Sequence, residues 1–215
     1  MNPRVILFCA LAMTNAEALA QYHAVSAKLG MLGLGLEYTY SFTDRWSVRG
    51  GPYGSTYSVD QSEAGIDYEV ELNWDSVSLA LDFHPTTGAF RITAGVLQNN
   101  NGALALSTAT QDVTLGGVTY TPAQVGTLRA DIDFEEDASF VSLGWDWSRN
   151  RRFGMALDFG LLNQGVPLIS LSANGTLTGD PGFETDLAAE EAELRDALSD
   201  VDIFPFVTLG VVFRF

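Results

Sequence analysis

Phe153-Gly154-Met155-Ala156-Leu157-Asp158-Phe159-Gly160-Leu161 alternates without interruption. Odd positions carry large apolar side chains, and even positions carry glycine, alanine or a charge. Period 2 is the signature of a strand with two different faces. Soluble sandwiches alternate too, so the sense of the alternation decides. Here the bulky face is continuous, and the opposite face is too small and too ionic to form a soluble core. That arrangement suits lipid outside and a narrow polar lumen inside.

The same pattern recurs on either side. Leu32, Leu34, Leu36, Tyr38, Tyr40 and Phe42 oppose Gly33, Gly35, Glu37, Thr39 and Ser41. Val77 to Phe83 and Phe90 to Val96 alternate around a polar turn at His84 to Gly88. Val141, Leu143 and Trp145 precede a second turn at Ser148 to Arg151, and a third lies at Thr43-Asp44. Aromatic residues crowd these turns: Phe42, Trp46, Phe83, Phe90, Trp145, Trp147, Phe153, Phe213 and Phe215. An aromatic girdle of this kind marks a membrane–water interface. The alternating run Val207 to Phe215 ends on phenylalanine, which resembles the targeting signal of bacterial outer-membrane barrels.

Short turns belong on the periplasmic side and long connections outside. Counting back from the last run predicts strands over 207–215, 152–164, 128–147, 89–99, 67–83, 45–57, 31–42 and 22–29. The predicted fold is an all-β, eight-stranded antiparallel up-and-down transmembrane β-barrel with a short extracellular helix. Gly30-Met31 is expected to turn between the first two strands. Apolar parity slips between Trp74 and Val77 and between Phe134 and Val141, which predicts β-bulges near 74–76 and 135–139.

Residues 1–20 read as a signal peptide: Arg4, an apolar run from Val5 to Met13, then Ala18-Leu19-Ala20. Cys9 lies in that run, so the barrel expected over 21–215 has no cysteine, and disulfides and thiol chemistry are removed together. Mean hydropathy is only +0.10, and no 18-residue apolar stretch follows residue 20. A helical membrane protein is therefore excluded. The net charge of −16 repels nucleic acid and attracts cations.

Parity assigns eight charges to the lumen: Lys28, Glu37, Arg49, Asp82, Arg91, Asp146, Asp158 and Arg214. An eight-stranded barrel is just wide enough for side chains, so four bases and four acids must pair there. Arg49, Arg91 and Arg214 are the expected partners of Asp82, Asp146 and Asp158. The result is either a neutral plug or a narrow, charge-lined conduit.

Acids also gather outside. Asp67, Glu69 and Glu71, then Asp131, Asp133 and Glu135, lie in base-poor stretches, and residues 180–202 hold nine acids against Arg195. A solvated face toward lipopolysaccharide, bridged by divalent cations, is expected. A funnel for small cationic solutes is the sharper alternative. No calcium-loop spacing occurs, so no metal site or cofactor is assigned. Residues 100–127 hold a hairpin at Gly116-Gly117. In 165–202, Asp180 caps a helix with Pro181 at its first position and Phe183, Leu187, Leu194 and Leu198 on one stripe. His23 and His84 both fall at the periplasmic end, away from any outer-rim active site, and no catalytic motif is present. No enzyme is expected.

Ala24 to Gly30 running into Leu34-Gly-Leu-Glu-Tyr38, Thr43-Asp-Arg-Trp46, Gly117-Val-Thr-Tyr120, Phe140-Val-Ser-Leu-Gly-Trp145, Asp158-Phe-Gly160 and the acidic helix before the last strand occur in an order that resembles the CarO-type, OmpW-like small outer-membrane barrels. The resemblance runs from about residue 24 to 215. It implies a monomeric outer-membrane barrel associated with passage of basic amino acids such as ornithine, or with carbapenem susceptibility. It carries no site residue by name. The alternative function is a structural or adhesive surface protein whose acidic loops bind cations, lipopolysaccharide or a partner.

Overall fold

The structure is a computed structural model that describes residues 22–63, 66–198 and 202–215; the expected leader lies outside the described residues. The described residues form thirteen strands and two helices in chain order. They are β1 (Tyr22–Gly30), β2 (Gly33–Ser41), β3 (Trp46–Glu63), β4 (Ile66–Phe83), β5 (Phe90–Asn99), β6 (Gly102–Ala109), β7 (Val113–Leu115), β8 (Val118–Tyr120), α1 (Pro122–Val125), β9 (Thr127–Asp133), β10 (Asp137–Asp146), β11 (Phe153–Asn163), β12 (Leu168–Ala173), α2 (Pro181–Ala197) and β13 (Ile203–Arg214). Among the described residues, no helix is long and apolar enough to cross a membrane.

Eight of these strands close a barrel in the order β1-β2-β3-β4-β5-β10-β11-β13. All pairs are antiparallel, and the last joins the first with Val25 opposite Phe213 and Leu29 opposite Leu209. Closure leaves no unpaired edge within the membrane, which hydrocarbon requires. The outward residues form an apolar belt: Leu34, Leu36, Leu79, Val96, Val141, Met155, Phe159, Leu209 and Val211 are all exposed. Trp46 packs in tilted contact with Phe83, Phe153 with Phe213, and Phe90 with Trp145 at the short-turn end.

The sheet continues outside. β3 and β4 have 18 residues each, nearly twice the ~9–11 that a tilted span needs. Their upper halves join β6, β9 and β12 in an extracellular extension. α2 lies on its inward face, where Phe183 and Leu187 pack with Leu115, Tyr120, Val125 and Leu171. Asp180 caps α2 by accepting from the Gly182 and Phe183 amides. Beyond the bilayer, the helix and the β7–β8 hairpin thus cover an apolar sheet face, as in a soluble domain.

This explains the parity slips and corrects the expected bulges. The β3–β4 register runs unbroken from Trp46 opposite Phe83 to Glu63 opposite Ile66. Even-numbered β4 residues face inward from Val70 past Trp74 to Asp82. The surroundings change instead. Inside the bilayer the apolar face looks out to lipid, and above it Leu72 and Trp74 look in while Glu71 and Asp75 look out to water.

The expected strand 128–147 is two strands. β10 belongs to the barrel, and β9 pairs with β6 and β12 outside. Against β5 and β6 the register is again continuous, and Asn99 donates its amide to the Glu136 carbonyl at the join. A one-residue slip occurs only on the far side, where Ser139 faces Asn163 but Asp133 faces Leu168. The first turn also moves: it is Met31-Leu32, and Leu32, expected toward lipid, is buried inside.

Candidate functional site in the barrel lumen

All eight lumen charges expected from parity sit inside the barrel, and seven of them are buried, Arg214 being half-buried at the periplasmic end. They form one connected network. Lys28 Nζ lies 2.7 Å from Glu37 Oε2 and 3.0 Å from Asp158 Oδ2. Arg49 Nη1 donates to Glu37 Oε2 at 2.9 Å, and Arg49 Nε to Asp82 Oδ1 at 3.1 Å. Arg91 Nη2 donates to both oxygens of Asp158, at 2.8 and 2.9 Å. Arg214 Nη2 donates to Asp146 Oδ2 at 3.1 Å. Hydroxyls complete the set: Thr93 donates to Asp82 at 2.6 Å, and Tyr53 donates to Glu37 at 2.7 Å.

Four cations and four anions cancel, so the layer carries no net formal charge. Isolated charges would be costly there, and mutual pairing is what makes their burial tolerable. Pairing follows height in the barrel as well as strand order. Arg49 contacts Asp82 on the adjacent strand, whereas Arg91 on β5 crosses over Gly144 of β10 to reach Asp158 on β11.

A second layer lies above the charges. Leu32, Tyr53, Ala80, Leu97, Ala138, Phe140, Leu162 and Phe206 form a buried apolar cluster. Phe140 meets Phe206 edge to face, with centroids 5.9 Å apart. Glycines on neighbouring strands make room for the rings. A Cβ on Gly95 would come within 2.5 Å of Phe140, and one on Gly160 would collide with the Phe206 ring. Between the two layers remains a cavity of about 10 Å³, lined by Lys28, Glu37, Arg49, Tyr53, Phe140 and Phe206 among others. That is room for about one water. Sequence reasoning expected a polar lumen and missed this plug. Its signal was present, because Tyr53, Leu97, Phe140, Leu162 and Phe206 share the parity of the lumen charges on their own strands.

The extracellular acids do not gather into one site. Glu69 and Glu71 on β4 and Asp133 on β9 point outward, and Asp131 is half-buried beside them. β6 lies between the two strands, with Leu104 opposite both Glu71 and Asp131. Two strand spacings put those carboxylates roughly 10 Å apart. Asp131 is paired with Arg129 at 2.6 Å, and that pair holds the Asp131 carboxyl below its ordinary range. Glu135 is exposed between β9 and β10. Asp67 pairs through its backbone with Ser62, and its side chain lies outside the described ones. Among the described residues, no three acids or histidines form a metal-binding group.

A closed eight-stranded sheet with lipid-facing apolar residues, a girdle at the short-turn end and a filled interior defines the chain as an outer-membrane β-barrel. No family model and no curated protein matches the sequence. Among solved structures, the fold is similar to Acinetobacter baumannii CarO, with a TM-score of 0.64 at 17% identity, covering 93% of this chain and 100% of that one. It is similar to the same organism's CarO2, with a TM-score of 0.65 at 16% identity and the same coverage. At these identities the likeness is one of fold.

Proposed function

We propose that this chain is a non-conducting outer-membrane barrel, present as a monomer, that holds an acidic extracellular platform over the cell surface. The carrying observation is the double seal of the lumen, a neutral ionic layer beneath an apolar one. A hydrated solute would have to break buried ion pairs and displace packed aromatic rings. The platform's exposed acids, from Glu69 and Glu71 to Glu184 and Glu193 on α2, suit cationic groups and cation-bridged lipopolysaccharide through long-range attraction. No enzyme chemistry is assigned to it.

The second reading is a narrow channel for small cationic solutes such as basic amino acids. It is favoured by the acidic outer mouth, which concentrates cations, and opposed by the neutrality of the lumen network. Planar-bilayer recording and proteoliposome swelling separate the two. The sealed reading expects no steady conductance and equal, background swelling in ornithine and in a neutral sugar. Nanosiemens currents, or ornithine-selective swelling lost in Glu37→Ala and Asp158→Ala, would overturn it.

A further inference from the structure

The short-turn end has the opposite electrostatic character. Its connections carry Arg45, Arg149, Arg151 and Arg152 against the single acid Asp44. Between the β4–β5 and β10–β11 turns lies a cavity of about 280 Å³, lined by Gly88, Ala89, Asp146, Trp147, Arg149, Asn150 and Arg151. That space holds several waters and has room for a phosphate group.

The one carboxylate in the lining is already occupied. Asp146 Oδ1 accepts from the Ser148 amide at 2.8 Å and from the Ser148 hydroxyl at 2.6 Å. Its Oδ2 accepts from Arg214 at 3.1 Å, with Arg91 Nη1 a further 3.9 Å neighbour. Arg149 donates to the Asp44 backbone carbonyl. Among the described residues, neither Arg149 nor Arg151 has an ion-pair partner. Arg214 Nε, close by, is buried without a hydrogen-bond partner. Two guanidinium groups therefore line a concave space with no carboxylate in an ion pair to either.

The neighbouring turn residues respond to that excess. Burial and the Arg214 charge hold Arg149 below its ordinary range. Burial and then the Arg149 charge lower His84 to about 4.

We propose that this periplasmic cavity binds a phosphate-class anion, with Arg149 and Arg151 as its guanidinium clamp and the exposed Trp147 indole beside it. Guanidinium forks match phosphate oxygens two at a time. An indole at the interface suits a ligand that is ionic at one end and apolar at the other. The anion could be the headgroup of an anionic phospholipid in the facing leaflet, or free inorganic phosphate.

The full barrel in neutral detergent micelles at fixed ionic strength tests this by tryptophan fluorescence. It is titrated with brominated phosphatidylglycerol, with brominated phosphatidylcholine and with inorganic phosphate. Saturable quenching by phosphatidylglycerol, weaker with phosphatidylcholine, is expected. It should weaken at least tenfold in the double variant Arg149→Gln/Arg151→Gln, weaken less in Arg149→Lys, and be unchanged in Arg152→Gln, a base of the same turn outside the cavity. Saturable binding of inorganic phosphate with the same variant pattern also supports the site and names the free anion as sufficient. Absence of saturable binding by either probe overturns the proposal. So does an equal loss in Arg152→Gln, which would indicate diffuse surface charge. Heat-modifiable gel migration confirms that each variant is folded.

Discussion

Arg91 and Asp158 stand on strands that never pair, with β10 between them, yet Arg91 Nη2 lies 2.8 Å from Asp158 Oδ1 across the lumen. Asp158 also holds Lys28 at 3.0 Å and has Arg49 at 3.6 Å. One carboxylate thus neutralises charge from three strands, while Glu37 shares Lys28 and Arg49 with it and Asp82 shares Arg49.

Asp158→Asn should be the costliest single change in this network. It leaves a net cation in a layer with almost no water, and breaking a buried pair typically costs about 3–5 kcal/mol. Asp131→Asn removes the half-buried surface partner of the exposed Arg129 and should cost under ~1 kcal/mol. Urea unfolding from lipid vesicles, followed by heat-modifiable migration, compares the two. Equal midpoints would mean that the lumen network does not hold the barrel.

The apolar layer makes a steric claim. Gly160 stands under the Phe206 ring and Gly95 under Phe140, so a side chain at either position forces the ring to move. Gly160→Val should destabilise by about 1–3 kcal/mol, the usual cost of overpacking. Restoring space with Gly160→Val/Phe206→Ala should recover part of that loss. Additive losses in the double variant would argue that the two positions do not meet. In neither variant should conductance appear, because the ionic layer below remains.

His84 gives a pH dependence. It is buried in the periplasmic turn, and its Nδ1–H donates to the Phe90 carbonyl at 3.2 Å. Burial, then the charges of Arg149 and Arg91, lower it to about 4 despite attraction from Asp82. An unfolded histidine titrates near 6.5. Between about 4 and 6.5 the unfolded chain binds more protons, so stability rises with pH across that window. On acidification from pH 7 the barrel should lose stability through 6.5 and level off below about 4. His84→Gln should flatten that segment of the curve, as read from unfolding midpoints at pH 7, 6, 5 and 4. Identical slopes in both proteins would refute the role given to His84.

Strand identity and lumen membership were legible because both depend on parity alone, and parity is written in residues such as Lys28, Glu37 and Asp158. What lies beyond a face is not written there. Trp74 and Ser76 share one face of β4, but Trp74 belongs to a water-bathed sheet and Ser76 to the barrel. The change of solvent therefore mimicked a change of register. Height was equally hidden. Arg49 and Tyr53 both face inward, and only the stagger of neighbouring strands puts one in the ionic layer and the other beneath aromatic rings. The caps of α2 needed no such information, since Asp180 and Pro181 act on the turn that contains them.

Several contacts between elements far apart in sequence fasten the extracellular platform, and one of them carries a titratable donor. The Tyr120 hydroxyl, at the end of the β7–β8 hairpin, donates to Asp186 Oδ2 on α2, and its ring packs edge to face on Phe183 at 5.1 Å. That hydrogen bond, followed by burial, pushes the phenol up to about 12. The bond needs the protonated phenol. Its contribution is therefore complete below the ordinary tyrosine value of ~10 and is lost as pH climbs toward 12. Tyr120→Phe keeps the ring and removes the donor. Amide exchange along Pro181–Ala197 should then quicken at neutral pH while the barrel strands stay protected, because α2 packs on the extension and not on the membrane-spanning sheet. Unchanged exchange in α2 would show that the apolar packing and the remaining hydrogen bonds of Glu190, Glu191 and Arg195 hold the helix down without it, and faster exchange in β1 or β13 would tie the platform to the barrel more tightly than this contact implies.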